Sequence, residues 1–297
     1  MTAKWAGVFP ALTTPFTPTQ DLDLPAMCRQ IDTQITAGVQ GLILLGSLGE
    51  NTALEPDEKR LVLTTALHHV AGRVPVLSGV AETSTRVASR YAADLARLGV
   101  QGLMVLPAMV YKADAREAMS HFRAVAAASP LPIMIYNNPV AYSVDLLPEH
   151  FAELADEPKF VAIKESSDNI RRFTDLRNCV GDRYALFGGV DDLALEAALL
   201  GADGWVAGVG NAFPVENQRL WNLTQAGHWD AARTLYRWYT PLLHLDVHVK
   251  LVQYIKLAMQ EVGLGSETVR APRLPITGAE RERVLHIIRH GVATRPK

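Results

Sequence analysis

The chain has 297 residues, 48% of them hydrophobic and 20% charged, which excludes a disordered chain and allows a sizeable core. A formal net charge of -2 gives no basic surface for nucleic acid or anionic lipid. The two cysteines, Cys28 and Cys179, stand far apart in helix-like contexts, so two reduced, buried thiols are expected rather than a disulfide framework or a zinc site.

The opening stretch MTAKWAGVFPALTTPF has no charged segment followed by an apolar one, and no later apolar run approaches the ~20 residues that span a membrane. A soluble cytoplasmic protein is expected. The first predicted strand is VFPALT, and the loop after it, TTPFTPT, lacks the G-x-G-x-x-G of a dinucleotide-binding fold. The second strand, GLILLG, runs into GSLGEN, where two glycines flank Ser47 between strand and helix. Backbone N–H groups in such a turn can cradle an anion, although many glycine-rich turns only reverse the chain tightly.

Amphipathic helices follow in PDEKRLVLTTALHHVAG and STRVASRYAADLARLG, each ending on glycine just before the strands VPVLSGV and GLMVLP. The fifth strand, LPIMIY, ends on Tyr136, and the sixth, FVAIK, on Lys164. YALFGG and GWVAGVG bring the predicted strands to eight. The junctions AGVQGLILLG, LGVQGLMVLP and LGADGWVAGV share one spacing of glycines, a weak internal repeat of βα units. Beyond GWVAGVGNAFP only helical patterns remain, in ENQRLWNLTQAG, WDAARTLYRWYTPLLHL and KLVQYIKLAMQEVG.

Strands apolar on both faces belong to a parallel sheet covered by helices, and eight such units predict an α/β fold, a (β/α)8 TIM barrel over residues 1–211. A C-terminal helical extension over 212–297 completes the chain. An open doubly wound sheet is the alternative.

In such a barrel the active site gathers at the C-terminal ends of the strands. Lys164 ends an apolar run there, where desolvation would lower its pKa and free the amine to attack a carbonyl; otherwise it pairs with Glu165 or reaches water. The string VAIK also occurs in protein kinases, but the glycine-rich loop, HRD and DFG motifs are missing. Tyr136, at the matching height of the adjacent strand, can relay protons beside an amine, or can be a buried aromatic with a satisfied hydroxyl. Asp191 and Asp192 can bind substrate hydroxyls or begin the helix after the seventh strand. Lys256, in QYIKLAM, has helical neighbours and is expected on a solvated helix face.

GSLGE, YNNP and FVAIKESS, in this order, resemble the dihydrodipicolinate synthase / N-acetylneuraminate lyase family, and the resemblance covers essentially the whole chain. It implies class I chemistry on a 2-keto acid or its cyclic imine, with no metal or organic cofactor, commonly in a homotetramer built as a dimer of dimers. Lys164 takes the Schiff-base position, Tyr136 the proton-relay position and Ser47 the hydroxyl of that relay. Leu48 and Gly49 lie in the carboxylate-binding turn. Further expected substrate-binding positions are Asn138, Gly189, Asp191 and Gly208.

The departures point to a subgroup. Ala141 stands where the synthases carry an arginine for the second carboxylate of aspartate semialdehyde, which argues against that activity. Met109 occupies the place expected for a relay tyrosine, with Tyr111 two residues later. Leu48 replaces a threonine of the sialic-acid lyases and makes the pocket drier. GSLGEN, LPAMVY and YNNPVAYSVDL are most similar to 1-pyrroline-4-hydroxy-2-carboxylate deaminases of hydroxyproline breakdown. The resemblance then implies attack of Lys164 on the ring imine, ring opening, and loss of the 4-hydroxyl and ammonia to leave 2,5-dioxopentanoate. A 2-keto-3-deoxy sugar-acid dehydratase and a pyruvate-releasing aldolase share the same imine and differ in the bond broken next. The intact Lys164 and Tyr136 argue against a catalytically silent binding protein.

Overall fold

The computed structural model describes residues 4–296. Eight strands, β1 (Gly7–Val8), β2 (Leu42–Leu44), β3 (Val76–Val80), β4 (Gly102–Val105), β5 (Ile133–Asn137), β6 (Phe160–Glu165), β7 (Ala185–Gly188) and β8 (Gly204–Trp205), form one parallel sheet. Each strand pairs with its sequence neighbour, and β1 pairs with β8. The seam between β1 and β2 closes through a parallel bridge from Ala11 to Ile43, where Leu12 N donates to Ile43 O at 2.8 Å and Ile43 N to Pro10 O at 3.0 Å. The sheet is therefore a closed (β/α)8 barrel, as expected. The first strand is shorter than VFPALT because Pro10 has no N–H to give to a ladder.

Twelve α-helices among the described residues accompany the strands: α1 (Leu24–Ala37), α2 (Pro56–Val70), α3 (Thr85–Leu98), α4 (Ala115–Ala128), α5 (Pro139–Tyr142), α6 (Pro148–Glu153), α7 (Arg171–Val180), α8 (Ala194–Leu199), α9 (Pro214–Gln225), α10 (Trp229–Leu243), α11 (Leu251–Glu261) and α12 (Gly278–Ala293). The ring helices begin and end where local chemistry places them. Asp23 caps α1 by accepting from Ala26 N at 2.9 Å, and Gly38 closes it at φ 94°, a conformation that costs a side chain dearly. α9 packs against α1, α8 and β1 and so takes the eighth position of the ring, past residue 211. α10–α12 lie outside the alternation, with α12 packed on both α10 and α11. No helix among the described residues is long and apolar enough to cross a membrane.

Two expectations fail here. Cys28 is only half-buried and Cys179 is exposed. In the last turn of α7 it is Val180 that packs against the core, and in α1 the inward positions are Met27, Gln30, Ile31 and Gln34. Lys256 is not solvated either; it is 1% exposed. Every residue from Val252 to Met259 is buried, so α11 has no wet face for a lysine to occupy. The Lys256 Nζ instead donates to Glu50 Oε1 at 2.5 Å, Thr14 O at 2.7 Å and Thr268 O at 2.8 Å.

Candidate active site

A cavity of about 380 Å³ opens at the C-terminal ends of the strands. Ser47, Leu48, Tyr136, Asn138, Lys164, Gly189 and Gly208 line it. The parallel register of β5 and β6 sets Tyr136 directly opposite Lys164, and their neighbours Asn137 and Glu165 opposite each other. Because successive side chains alternate across a strand, Lys164 turns into the barrel mouth while Glu165 turns away. Glu165 accepts instead from Asn137 Nδ2 at 3.0 Å and Ser167 N at 2.7 Å, which removes it as an ion-pair partner for Lys164.

Lys164 is 7% exposed, and its Nζ stands 3.9 Å from the centroid of the Tyr136 ring. Burial pushes its pKa down, while the negative charges of Asp246 and Asp191 pull the other way. Gly189 makes room for it: a Cβ there would collide with Ser166 Oγ and the lysine stem.

Tyr136 has its phenol pushed up to about 12 by burial. Its hydroxyl accepts from Asn138 Nδ2 at 3.0 Å. Asn138 also caps α5, accepting from Ala141 N at 2.9 Å, and Pro139 follows at the first helical position. That single turn brings Tyr142 back over Tyr136, with ring centroids 5.7 Å apart and planes at 82°. The Tyr142 hydroxyl is hydrogen-bonded to Ser47 Oγ. Ser47, Tyr142 and Tyr136 thus form a connected group of hydroxyls beside the amine. Tyr111 is not part of it: it is 62% exposed and donates to Glu117 at 3.1 Å, and Met109 packs on the core.

The turn that carries Ser47 is held rigidly. Leu45 and Glu50 adopt positive φ values of 57° and 53°, a region that L side chains rarely occupy without compensation. Asn51 Nδ2 donates to Leu45 O at 2.8 Å, Thr14 Oγ1 to Gly49 O at 2.7 Å, and the buried Lys256 grips Glu50. Gly49 sits under the turn and does not line the cavity.

Asp191 does not line it either. It is fully buried, and its carboxylate accepts from Trp205 Nε1 at 2.9 Å, Gly208 N at 3.1 Å and Val209 N at 2.6 Å. Burial raises it to about 6 in spite of these donors. Its task is to shape the loop after β8. Asp192 accepts from or pairs with His244 Nδ1 at 2.7 Å. Two lining residues had no signal in the strand pattern, Tyr142 and Asp246. The first could have been found from the N-cap and proline of NNPVAY, which predict one helical turn and hence a return of the chain.

A lysine, a phenol at the same height and a hydroxyl group network around one cavity are the parts of an imine-forming site. The family model described as "Dihydrodipicolinate synthetase family" matches residues 4–291. The chain belongs to that family. Its relatives include the 4-hydroxy-tetrahydrodipicolinate synthase of Xanthomonas campestris pv. campestris, 34% identical over 291 residues that cover 97% of this chain and 95% of the relative. The one from Exiguobacterium sibiricum is also 34% identical, over 96% of each chain. Among solved structures, a putative dihydrodipicolinate synthetase from Pseudomonas aeruginosa superposes with a TM-score of 0.91 at 31% identity, covering 97% of this chain and 99% of that one. A monomeric dihydrodipicolinate synthase variant superposes at 0.90 with 25% identity, over 98% and 97% of the two chains. Dihydrodipicolinate synthetase family members are class I Schiff-base lyases, and this chain is an enzyme of that kind acting on a small molecule.

Proposed function

We propose that this family member is a 1-pyrroline-4-hydroxy-2-carboxylate deaminase, with Lys164 as the imine-forming amine. The observation that carries the reading is the cavity lining: among the described residues it holds no arginine, and Ala141 lies at its edge. A distal carboxylate such as that of aspartate semialdehyde would be left unpaired in a desolvated mouth, at a cost of several kcal/mol. A cyclic imine with one carboxylate makes no such demand. Leu48, Met104, Val140 and Val190 give the ring apolar walls.

Neutral Lys164 adds to C2 of the ring, and the C2–N bond breaks to give an open-chain imine with a free amine at C5. The Ser47–Tyr142–Tyr136 hydroxyls pass the protons that addition and ring opening require. The Leu48 N–H group, which donates to no acceptor among the described residues, receives the carboxylate at C1. Loss of the C3 proton and the C4 hydroxyl releases one water, and a shift of the double bond turns the C5 amine into an imine. Hydrolysis at C5 and at Lys164 consumes two waters and yields ammonia and 2,5-dioxopentanoate. The net reaction takes up one water, and C4 is reduced as C5 is oxidised, so no external oxidant enters.

The family resemblance further supports a cytoplasmic homotetramer, a dimer of dimers in hydroxyproline breakdown. Light scattering on purified protein tests the assembly. For the reaction, purified protein is assayed without added metal or nucleotide on 1-pyrroline-4-hydroxy-2-carboxylate, on 2-keto-3-deoxyarabonate, and on pyruvate with aspartate semialdehyde. Ammonia release is expected. Water loss alone from the sugar acid marks a dehydratase, pyruvate with an aldehyde marks an aldolase, and efficient condensation without ammonia restores the synthase reading.

A further inference from the structure

Two carboxyls line the cavity without a part in imine formation, Asp168 and Asp246. Asp246 reaches the cavity from the turn after α10, where its N–H donates to Leu243 O at 3.0 Å. Its carboxylate rests on Gly208, where a Cβ would collide with Oδ1, and Asp191 fixes that glycine from beneath. Lys164, Asp191, Asp192, Tyr136 and Tyr239 are the titratable groups that act on it or feel its charge. Among the described residues no cation forms an ion pair with it within 4.0 Å. It therefore faces the substrate space on a rigid floor, a carboxyl steadied by the Asp191 backbone and held in no ion pair among the described residues.

We propose that Asp246 is the acid–base catalyst of the elimination, carrying one proton from C3 of the imine-bound substrate to the hydroxyl that leaves C4. The inference rests on the deaminase reading of the site. As carboxylate, Asp246 takes the C3 proton; the C3–H electron pair moves into C2–C3 and neutralises the iminium nitrogen on Lys164, giving the enamine. The resulting carboxylic acid then gives the same proton to the C4 hydroxyl. The C4–O bond breaks, water departs, and the enamine pair returns to form C3=C4 and the iminium. Atoms and charge balance without a further reactant.

Electrostatics drives the transfer both ways. Asp246 and Lys164 shift each other's ionisation, and burial together with Asp191 already biases Asp246 toward its neutral form. A positive iminium holds the carboxylate ionised and basic; once the nitrogen becomes neutral, that support is lost and the carboxyl turns acidic toward the leaving oxygen.

The test uses 1-pyrroline-2-carboxylate, which forms the imine but has no hydroxyl to lose, so its C3 hydrogens report the base alone. In D2O the wild-type protein is expected to exchange them well above background, and Asp246→Asn about 100-fold more slowly, with borohydride trapping of Lys164 retained. Ammonia release from the hydroxylated substrate should fall by the same factor. Exchange and elimination at wild-type rates in Asp246→Asn overturn the proposal. If wild-type protein exchanges C3 but releases no ammonia, the deaminase reading fails while the role of Asp246 as base survives. Should Asp246→Asn not fold, Tyr136→Phe decides: exchange per trapped imine is expected to persist there, and its loss would assign the base to Tyr136.

Discussion

Lys256 Nζ lies 2.5 Å from Glu50 Oε1, with both side chains at most 1% exposed, and this pair joins α11 to the turn that carries Ser47. Glu50 Oε2 also accepts from Arg270 N at 3.0 Å, so three separate stretches of chain converge on one carboxylate. Removing the lysine leaves this buried carboxylate with only the longer ion pair to Arg273, 3.8 Å away. Lys256→Met is expected to destabilise the protein by about 3–5 kcal/mol in urea unfolding, and adding Glu50→Gln to recover most of it. A single-variant loss below about 1 kcal/mol would mean that Arg273 or water compensates Glu50.

The hydroxyl group beside Lys164 makes a separate prediction for two tyrosines. Tyr142 touches both Ser47 and the Tyr136 ring, whereas Tyr111 is bound to Glu117 at the surface. Tyr142→Phe should lower kcat about 100-fold with the melting temperature nearly unchanged. Tyr111→Phe should leave kcat as it is. Reversed effects would place the second relay phenol on Tyr111, delivered by another copy of the chain.

Borohydride with pyruvate should add mass to the peptide containing Lys164 and inactivate the protein. Since burial lowers the pKa of this amine, the trapping rate should rise with pH and level off below 10.5, the ordinary value for lysine. An adduct on another lysine, or activity in Lys164→Ala, removes Lys164 from the chemistry.

Asp191 gives a prediction for stability against pH. Its folded-state pKa of about 6 exceeds the ordinary 3.8, so between these values the folded chain binds more protons than the unfolded one. The Asp191 contribution to stability is therefore fully present below 3.8 and is lost as pH rises through about 6. Asp191→Asn should flatten the urea midpoint across that window. An unchanged slope would show that Asp191 keeps its charge throughout.

The sequence showed what depends on period and register. Eight apolar runs between amphipathic segments specify the barrel, and the heights of Tyr136 and Lys164 on neighbouring strands follow from strand length alone. It did not show what depends on long-range contacts. Asp246 follows a helix outside the alternation, and nothing in LDVHVK tells which loop its carboxylate will meet. Lys256 is buried, although the helix pattern around it is the same whether α11 faces water or is buried on every side. Asp191 and Gly49, expected to bind substrate, stand behind the cavity wall, a distinction that only contacts distant in sequence supply.

The single turn of α5 also has a meaning for engineering. Tyr136, Asn138 and Tyr142 come from one seven-residue segment, and their hydrogen bonds run within that segment except for the one to Ser47. Such a segment is a portable cassette. Grafted after the fifth strand of another barrel with a lysine on the sixth and a serine after the second, it should bring both phenols with it.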